Sequence, residues 1–204
     1  EADVYIRVPT NLGYTPAIRY GILVANGEYL ALVNDDIRIS KNWADVILPI
    51  FEDKEVATVH PRMIQYDEPM TFGTSTIKTG KERWCQNSCV ITTRKFLKEF
   101  ERIEEGVEPF PGVFDLNYGI GGGADDWDFY HRIRKQGYKT VYTDRCCFQH
   151  KMSYTYNKIS EQRERAVIQN NEYFEKKHGG KKEYLFTKEF PEQMSQDYRK
   201  GWEL

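Results

Sequence analysis

Tyr29-Leu30-Ala31-Leu32-Val33 runs without a polar break straight into Asn34-Asp35-Asp36. A nearly continuous apolar run of this length predicts a parallel strand covered on both faces. The acids that follow it then stand at the carboxyl end of a strand, the edge where open α/β sheets collect ligands. The flanking segments fit that frame. Residues 3–8 alternate like a strand and are closed by Pro9-Thr10-Asn11. From residue 15 to 26, Ala17, Ile18, Ile22 and Ala25 recur at helical spacing, with Gly27 as the stop. Ser40 can cap a helix over 41–52 that places Trp43, Val46, Ile47 and Ile50 on one side, and residues 56–60 read as the next strand. This order predicts an α/β chain with an open, mainly parallel sheet, flanked by helices and joined by right-handed crossovers.

Farther along, residues 61–81 are polar and weakly patterned, as in a long loop or a small β excursion. Residues 88–93 resume strand character and lead into a short helix over 94–100. The stretch 101–123 is rich in Gly, Pro and acids and ends in Gly121-Gly122-Gly123; an irregular segment that long is usually functional or mobile. Residues 125–136 form a strong helix stopped by Gly137. Short strands follow at 139–142 and 146–150, and the charged last third, from residue 158, reads as helical.

Composition limits the function classes. With 204 residues there is room for one substantial domain, and 40% hydrophobic against 29% charged residues fits a soluble globular chain rather than a disordered one. A net charge of −2 argues against nonspecific nucleic-acid binding, which needs a basic surface. No apolar run approaches the roughly 20 residues of a membrane span, and no signal-peptide pattern opens the sequence. Cys85, Cys89, Cys146 and Cys147 are not spaced as a zinc clamp, so buried thiols in a reducing cytoplasm are the expectation. The reading is cytoplasmic, or peripheral at a membrane.

Three polar groups can carry chemistry. Paired acids after a buried strand suit a hard divalent cation that also bridges a diphosphate, although Asn-Asp-Asp also favours turns. Asp125, Asp126 and Asp128 begin a helix and gain from its macrodipole by roughly 0.3–1 kcal/mol each. Asp128 stands four residues from Arg132 and can pair with it across a turn. Asp125 and Asp126 follow the glycine run, and neighbouring carboxylates raise one another's pKa, which equips one of them as a general base. His150, at the end of a strand, reads alone as a structural residue.

Taken together, Asn11-Leu12-Gly13-Tyr14, Gly27-Glu28-Tyr29, Val33-Asn34-Asp35-Asp36, Asp125-Asp126-Trp127-Asp128, Gly137-Tyr138, His150 and Lys176-Lys177-His178-Gly179 resemble, in order and spacing, a family 2 glycosyltransferase of the GT-A fold. The resemblance implies a catalytic domain over 1–156 with a small β excursion, and a C-terminal helical extension over 157–204. It implies Mn2+ or Mg2+ held by Asp36 and His150, with Asn34, Asp35, Asn11 and Gly13 on the donor. Asp126 becomes the base of an inverting reaction, with Asp125 beside it near the sugars. Trp84 and Trp127 become platforms for donor or acceptor sugars, or else core residues. The implied partners are a UDP-, GDP- or dTDP-linked sugar and a glycan or glycoconjugate acceptor. A sugar nucleotidyltransferase and a non-catalytic sugar- or nucleotide-binding module are the rival classes. Members of the family begin with further strands that carry much of the base site, so a missing N-terminal segment or a partner chain is expected to cover the edge of the sheet.

Overall fold

Strand β1 (Tyr29–Val33) forms where the apolar run predicts it and hydrogen-bonds to β5 (Cys89–Thr93), with Tyr29 opposite Thr93 and Val33 opposite Cys89. The computed structural model describes residues 4–74, 78–79, 87–106, 112–118, 120, 122–151 and 160–180. Within these residues lie five strands besides β1: β2 (Ile37–Ile39), β3 (Val56–Gln65), β4 (Lys78–Thr79), β5 and β6 (Lys139–His150). The α-helices are α1 (Tyr14–Val24), α2 (Trp43–Ile47), α3 (Arg94–Glu104), α4 (Asp125–Lys135) and α5 (Ser160–His178).

The sheet runs β1-β5-β3-β6-β2, with β4 also on β6. It is mixed, not mainly parallel. Among the described strands only β3 and β6 pair in parallel. The reason is where the chain re-enters. It leaves β3 at Gln65, on the edge where β1 also ends, and β5 starts back from that same edge. β5 must therefore run antiparallel to both neighbours. The overall architecture is a mixed α/β sheet with helices on both faces.

Two apolar clusters fill the faces. Leu30, Leu32, Val90, Phe100, Phe129 and Ile133 pack with α1, α3 and α4 on one face, while Ile47, Phe51, Val59, Ile91, Val141 and Phe148 pack with α2 on the other. Val90 and Ile91, adjacent on β5, point to opposite clusters, as the two-residue period of a strand requires.

Several local expectations change. Residues 4–8 form no strand. Val4, Tyr5, Ile6 and Val8 are exposed, because no strand among the described residues completes a ladder for them. β1 is not covered on both faces: Leu30 and Leu32 are buried while Tyr29, Ala31 and Val33 are exposed. The helix expected over 41–52 stops at Ile47 and tightens into a 3-10 turn over Leu48–Glu52, where Pro49 supplies no N–H for an α-helical bond. Ser40 caps nothing; its buried hydroxyl accepts from the Cys147 N–H at 3.3 Å. β3 continues to Gln65, past the expected end at residue 60. Pro61 is tolerated because the register with β6 shifts there, as at a bulge. The two short strands over 139–150 are one strand, β6, held along its length by β3.

The far edge of β1 carries no strand among the described residues. An apolar groove of about 380 Å³ opens there between β1 and α1, with Ile18, Ile22, Leu30 and Leu32 among its walls. Among the described residues no helix is long and apolar enough to cross a membrane.

Candidate active site

β1 ends at Val33, and the backbone then crosses to the neighbouring turn, where the Asn34 N–H donates to Ser88 O at 3.0 Å. Two residues later, Asp36 precedes β2, whose first residue, Ile37, pairs with His150 at the end of β6. That pairing places the two side chains together: His150 Nε2 stands 3.0 Å from Asp36 Oδ1, with the histidine ring mostly buried. The contact lacks hydrogen-bond alignment, and Asp36 Oδ1 is a buried acceptor without a donor among the described residues. Two ligand atoms occupying adjacent corners of an octahedron of radius 2.0–2.1 Å would stand about 2.9 Å apart. The observed spacing and the orphaned oxygen therefore fit a shared divalent cation. Among the described residues no third His, Cys, Asp or Glu joins them, which leaves the other coordination positions to ligand oxygens or water. Asp35, next in line, is exposed.

The helix carrying Asp125 and Asp126 reaches the same edge. Thr15, buried in the first turn of α1, donates to Asp125 Oδ2 at 3.4 Å. Tyr14, beside it, donates its hydroxyl to Asn87 O at 2.6 Å. Tyr130, one turn beyond Asp126 on the same face of α4, donates to Asn87 Oδ1 at 2.7 Å. Asn87 precedes Ser88, which already holds Asn34. The start of α1, the turn before β5, the end of β1 and the start of α4 thus converge. Asn87 is buried and its Nδ2 finds no acceptor among the described residues. Nothing in the sequence singled out Asn87, Tyr130 or Thr15 for the site; only long-range packing brings them there.

The two acids at the start of α4 differ. Burial raises the Asp125 carboxyl above its ordinary pKa, the Asp128 charge adds to this, and hydrogen bonds from nearby N–H groups and Thr15 offset only part of it. Asp126 is half-buried, and its Oδ1 accepts from the Trp127 N–H at 2.9 Å. Asp128 lies two residues on, about 200° around the helix from Asp126, so those two side chains point apart. It pairs with Arg132 at 2.9 Å, as the four-residue spacing predicts, and also with Lys177 at 2.7 Å and His178 at 2.8 Å. Burial alone would raise its pKa, but the His178 bond and the Arg132 and Lys177 charges reverse this and hold it well below the usual carboxylate range.

Asp128→Ala leaves buried cations without their counter-charge and should cost about 3–5 kcal/mol, a fall in Tm on the order of 10 °C. The folded pKa lies below the unfolded value of about 3.9, so this stabilisation is present above that pH and lost as the pH falls toward the folded pKa. Calorimetry of wild type and variant should therefore show a constant gap near neutrality that narrows only below about pH 4.

The remaining candidates are dispersed. Asn11 Oδ1 accepts from the Gly13 N–H at 2.9 Å at the entry to α1. Gly13 has φ 83°, and a Cβ there would press on Ile120 at 3.3 Å, so any side chain at this position is strained. Trp127 is half-buried and packs against a small cluster of Tyr118, Ala124 and Phe174. Trp84 lies outside the described residues, as does Cys85. Cys89, Cys146 and Cys147 are buried free thiols, and burial pushes Cys89 and Cys146 up to about 12, which makes them inert near neutrality.

Residues 4–110 match the family model described as Glycosyl transferase family 2. The chain belongs to this family. The matched segment contains Asn34-Asp35-Asp36 and ends before Asp125, Asp126 and His150. Among solved structures, the fold is similar to that of GalNAc-T7 in its crystal structure with UDP, GalNAc and Mn2+, with a TM-score of 0.52 and 15% identity. That likeness covers 71% of this chain but only 31% of the GalNAc-T7 chain, so it is a likeness of fold over part of a longer protein. No curated protein matches the sequence.

Proposed function

We propose that this family 2 chain is a metal-dependent, inverting glycosyltransferase that moves a sugar from a UDP-, GDP- or dTDP-linked donor to a hydroxyl of a glycan or glycoconjugate. The observation that carries this reading is the 3.0 Å approach of Asp36 Oδ1 to His150 Nε2, on the strand edge that also receives the start of α4. Asp36 and His150 would hold Mn2+ or Mg2+, which supplies charge stabilisation for a departing nucleoside diphosphate. The UDP and Mn2+ of the GalNAc-T7 crystal structure support that choice of ligand. Asn34 and Asp35, beside the metal ligands, and Asn11 and Gly13, at the entry to α1, are assigned to the donor.

Asp126 takes the proton of the acceptor hydroxyl. The freed oxygen bonds to the anomeric carbon as the bond from that carbon to the diphosphate oxygen breaks on the opposite face. Asp125, whose buried carboxyl holds its proton to higher pH, stands beside it as a hydrogen-bonding group for a sugar hydroxyl. Trp127 borders the acceptor side. The open apolar edge of β1 supports the further reading that another segment or a partner chain covers it and completes the site for the base.

The test is a screen of UDP-, GDP- and dTDP-sugars for Mn2+-dependent hydrolysis and thermal stabilisation. Release of nucleoside diphosphate from at least one donor, abolished by chelator and restored by Mn2+, is the expected result. Synthesis of a nucleotide-sugar from a sugar phosphate and a nucleoside triphosphate would overturn it in favour of a nucleotidyltransferase. Metal-independent binding without turnover would mark a binding module.

A further inference from the structure

The contacts of helix α5 concentrate on the segment that carries two of the candidate reacting groups. Val167, Asn170, Phe174 and His178 recur every three or four residues and so share one face, with Tyr173 and Lys177 beside it. Along this seam Val167 lies against Gly123, where an added Cβ would meet its methyls at 3.3 Å. Asn170, buried, donates from Nδ2 to Gly122 O at 2.8 Å. Phe174 is fully buried with Tyr118 and Ala124.

The seam ends on an ammonium shared by two acids. Lys177 Nζ reaches Asp115 Oδ2 at 2.6 Å and Asp128 Oδ1 at 2.7 Å, and both carboxylates are almost wholly buried. Asp115 also receives the Tyr173 hydroxyl at 2.9 Å, and its other oxygen receives the Asn117 N–H at 2.9 Å. Arg132 ties the same segment from below, donating to Gly112 O at 2.9 Å and Val113 O at 2.8 Å. The stretch between the two carboxylates, 115–128, includes Gly122, Gly123, Asp125 and Asp126. Gly122 at φ 68° and Gly123 at φ 119° take backbone conformations that local preference does not fix. One lysine therefore closes both ends of the loop that delivers the proposed base.

We propose that Lys177 is a positioning residue for the transfer reaction, stapling Asp115 to Asp128 so that the loop 115–128 holds Asp125 and Asp126 at the end of β1. This rests on the proposed function for the identity of the reaction, not for the staple itself. Lys177 reaches no reacting group; its effect passes through Asp128 and the first turn of α4. A displacement of about 1 Å at a reacting group costs on the order of 100-fold in rate. Loss of the staple should therefore appear in kcat, while KM for the donor, set at Asp36 and His150, stays unchanged.

The experiment uses the full chain and compares wild type, Lys177→Met and Lys177→Arg by amide hydrogen exchange and by donor hydrolysis with Mn2+ and the responsive nucleotide-sugar. Lys177→Met should speed exchange of amides 122–128 by at least about tenfold more than that of β3 and β5, and lower kcat on the order of 100-fold at unchanged KM. Lys177→Arg should restore most of both. If Lys177→Met does not fold, Asn170→Ala, which removes the bond to Gly122 O, carries the same comparison with a smaller loss. Local loosening without a fall in kcat would overturn the proposal, as would a fall in kcat matched by equal loosening of β3 and β5. A wild type that turns over no nucleotide-sugar defeats the proposed function instead, and the exchange data then still decide whether the staple exists.

Discussion

Asp126→Asn should reduce sugar transfer on the order of 10²–10⁴-fold, the range that a positioned general base contributes, while binding of Mn2+ and nucleoside diphosphate stays at the wild-type level. The substitution is conservative where the structure needs it to be. The amide oxygen of Asn can still accept from the Trp127 N–H, the bond that Asp126 Oδ1 makes at 2.9 Å, so the first turn of α4 keeps its geometry. What is lost is the ability to hold the acceptor's proton. Initial rates against titration of UDP with Mn2+ separate the two effects. Asp125→Asn is the informative companion, because its carboxyl is the one pushed up by burial and it already receives Thr15. A larger loss in that variant than in Asp126→Asn would move the base one residue earlier. If Asp126→Asn retains more than about a tenth of its rate, Asp126 has no role as base.

The sequence made the local parts of this arrangement legible and left the pairings hidden. The apolar run at 29–33, the acids behind it and the Gly137 stop, with φ 84°, depend on residues within a turn of one another, and each sits where its pattern puts it. The Asp128–Arg132 pair is of the same kind. Strand direction is another matter. Nothing in residues 88–93 states that they run back between β1 and β3; that depends on which edge the chain re-enters after the excursion from β3. Likewise, Pro61 ends a strand by local rules, and β3 continues only because β6 lies alongside, with Arg62–Gln65 paired to Cys147–His150.

The candidate site divides in the same way. Asp36 and His150, 114 residues apart in sequence, were joined by resemblance alone, and their proximity arises from the register of β2 on β6. Asn87 and Thr15 bore no mark because a polar residue before a strand or in a first helical turn is commonplace. The charged last third reads from sequence as helical, but its pattern does not say which face packs or against what. Its buried face became visible only with Asp115 and Asp128 opposite Lys177, since charges are buried when partners neutralise them and sequence does not show partners.

The second large effect concerns Asp36 and His150, whose 3.0 Å contact has two physical readings with opposite consequences. If the pair were a salt bridge, Asp36→Ala would cost a few tenths to about 1 kcal/mol, as for partly exposed pairs, with or without metal. Asp36 Oδ1 makes no hydrogen bond among the described residues, however, and its spacing from Nε2 matches adjacent ligands of one ion. The expected result is therefore conditional on metal. In chelator, Asp36→Ala should melt at nearly the wild-type temperature. With Mn2+ at about 100 times its Kd, the wild type should gain about 2.7 kcal/mol and the variant almost none. His150→Ala should behave alike, and the double variant should lose no more than either single one, because both side chains hold the same ion and their effects cannot add. Turnover should follow the same pattern, abolished in each variant and in chelator-treated wild type. Equal Mn2+ stabilisation of wild type and both single variants would place the cation elsewhere and return the contact to an ordinary ion pair.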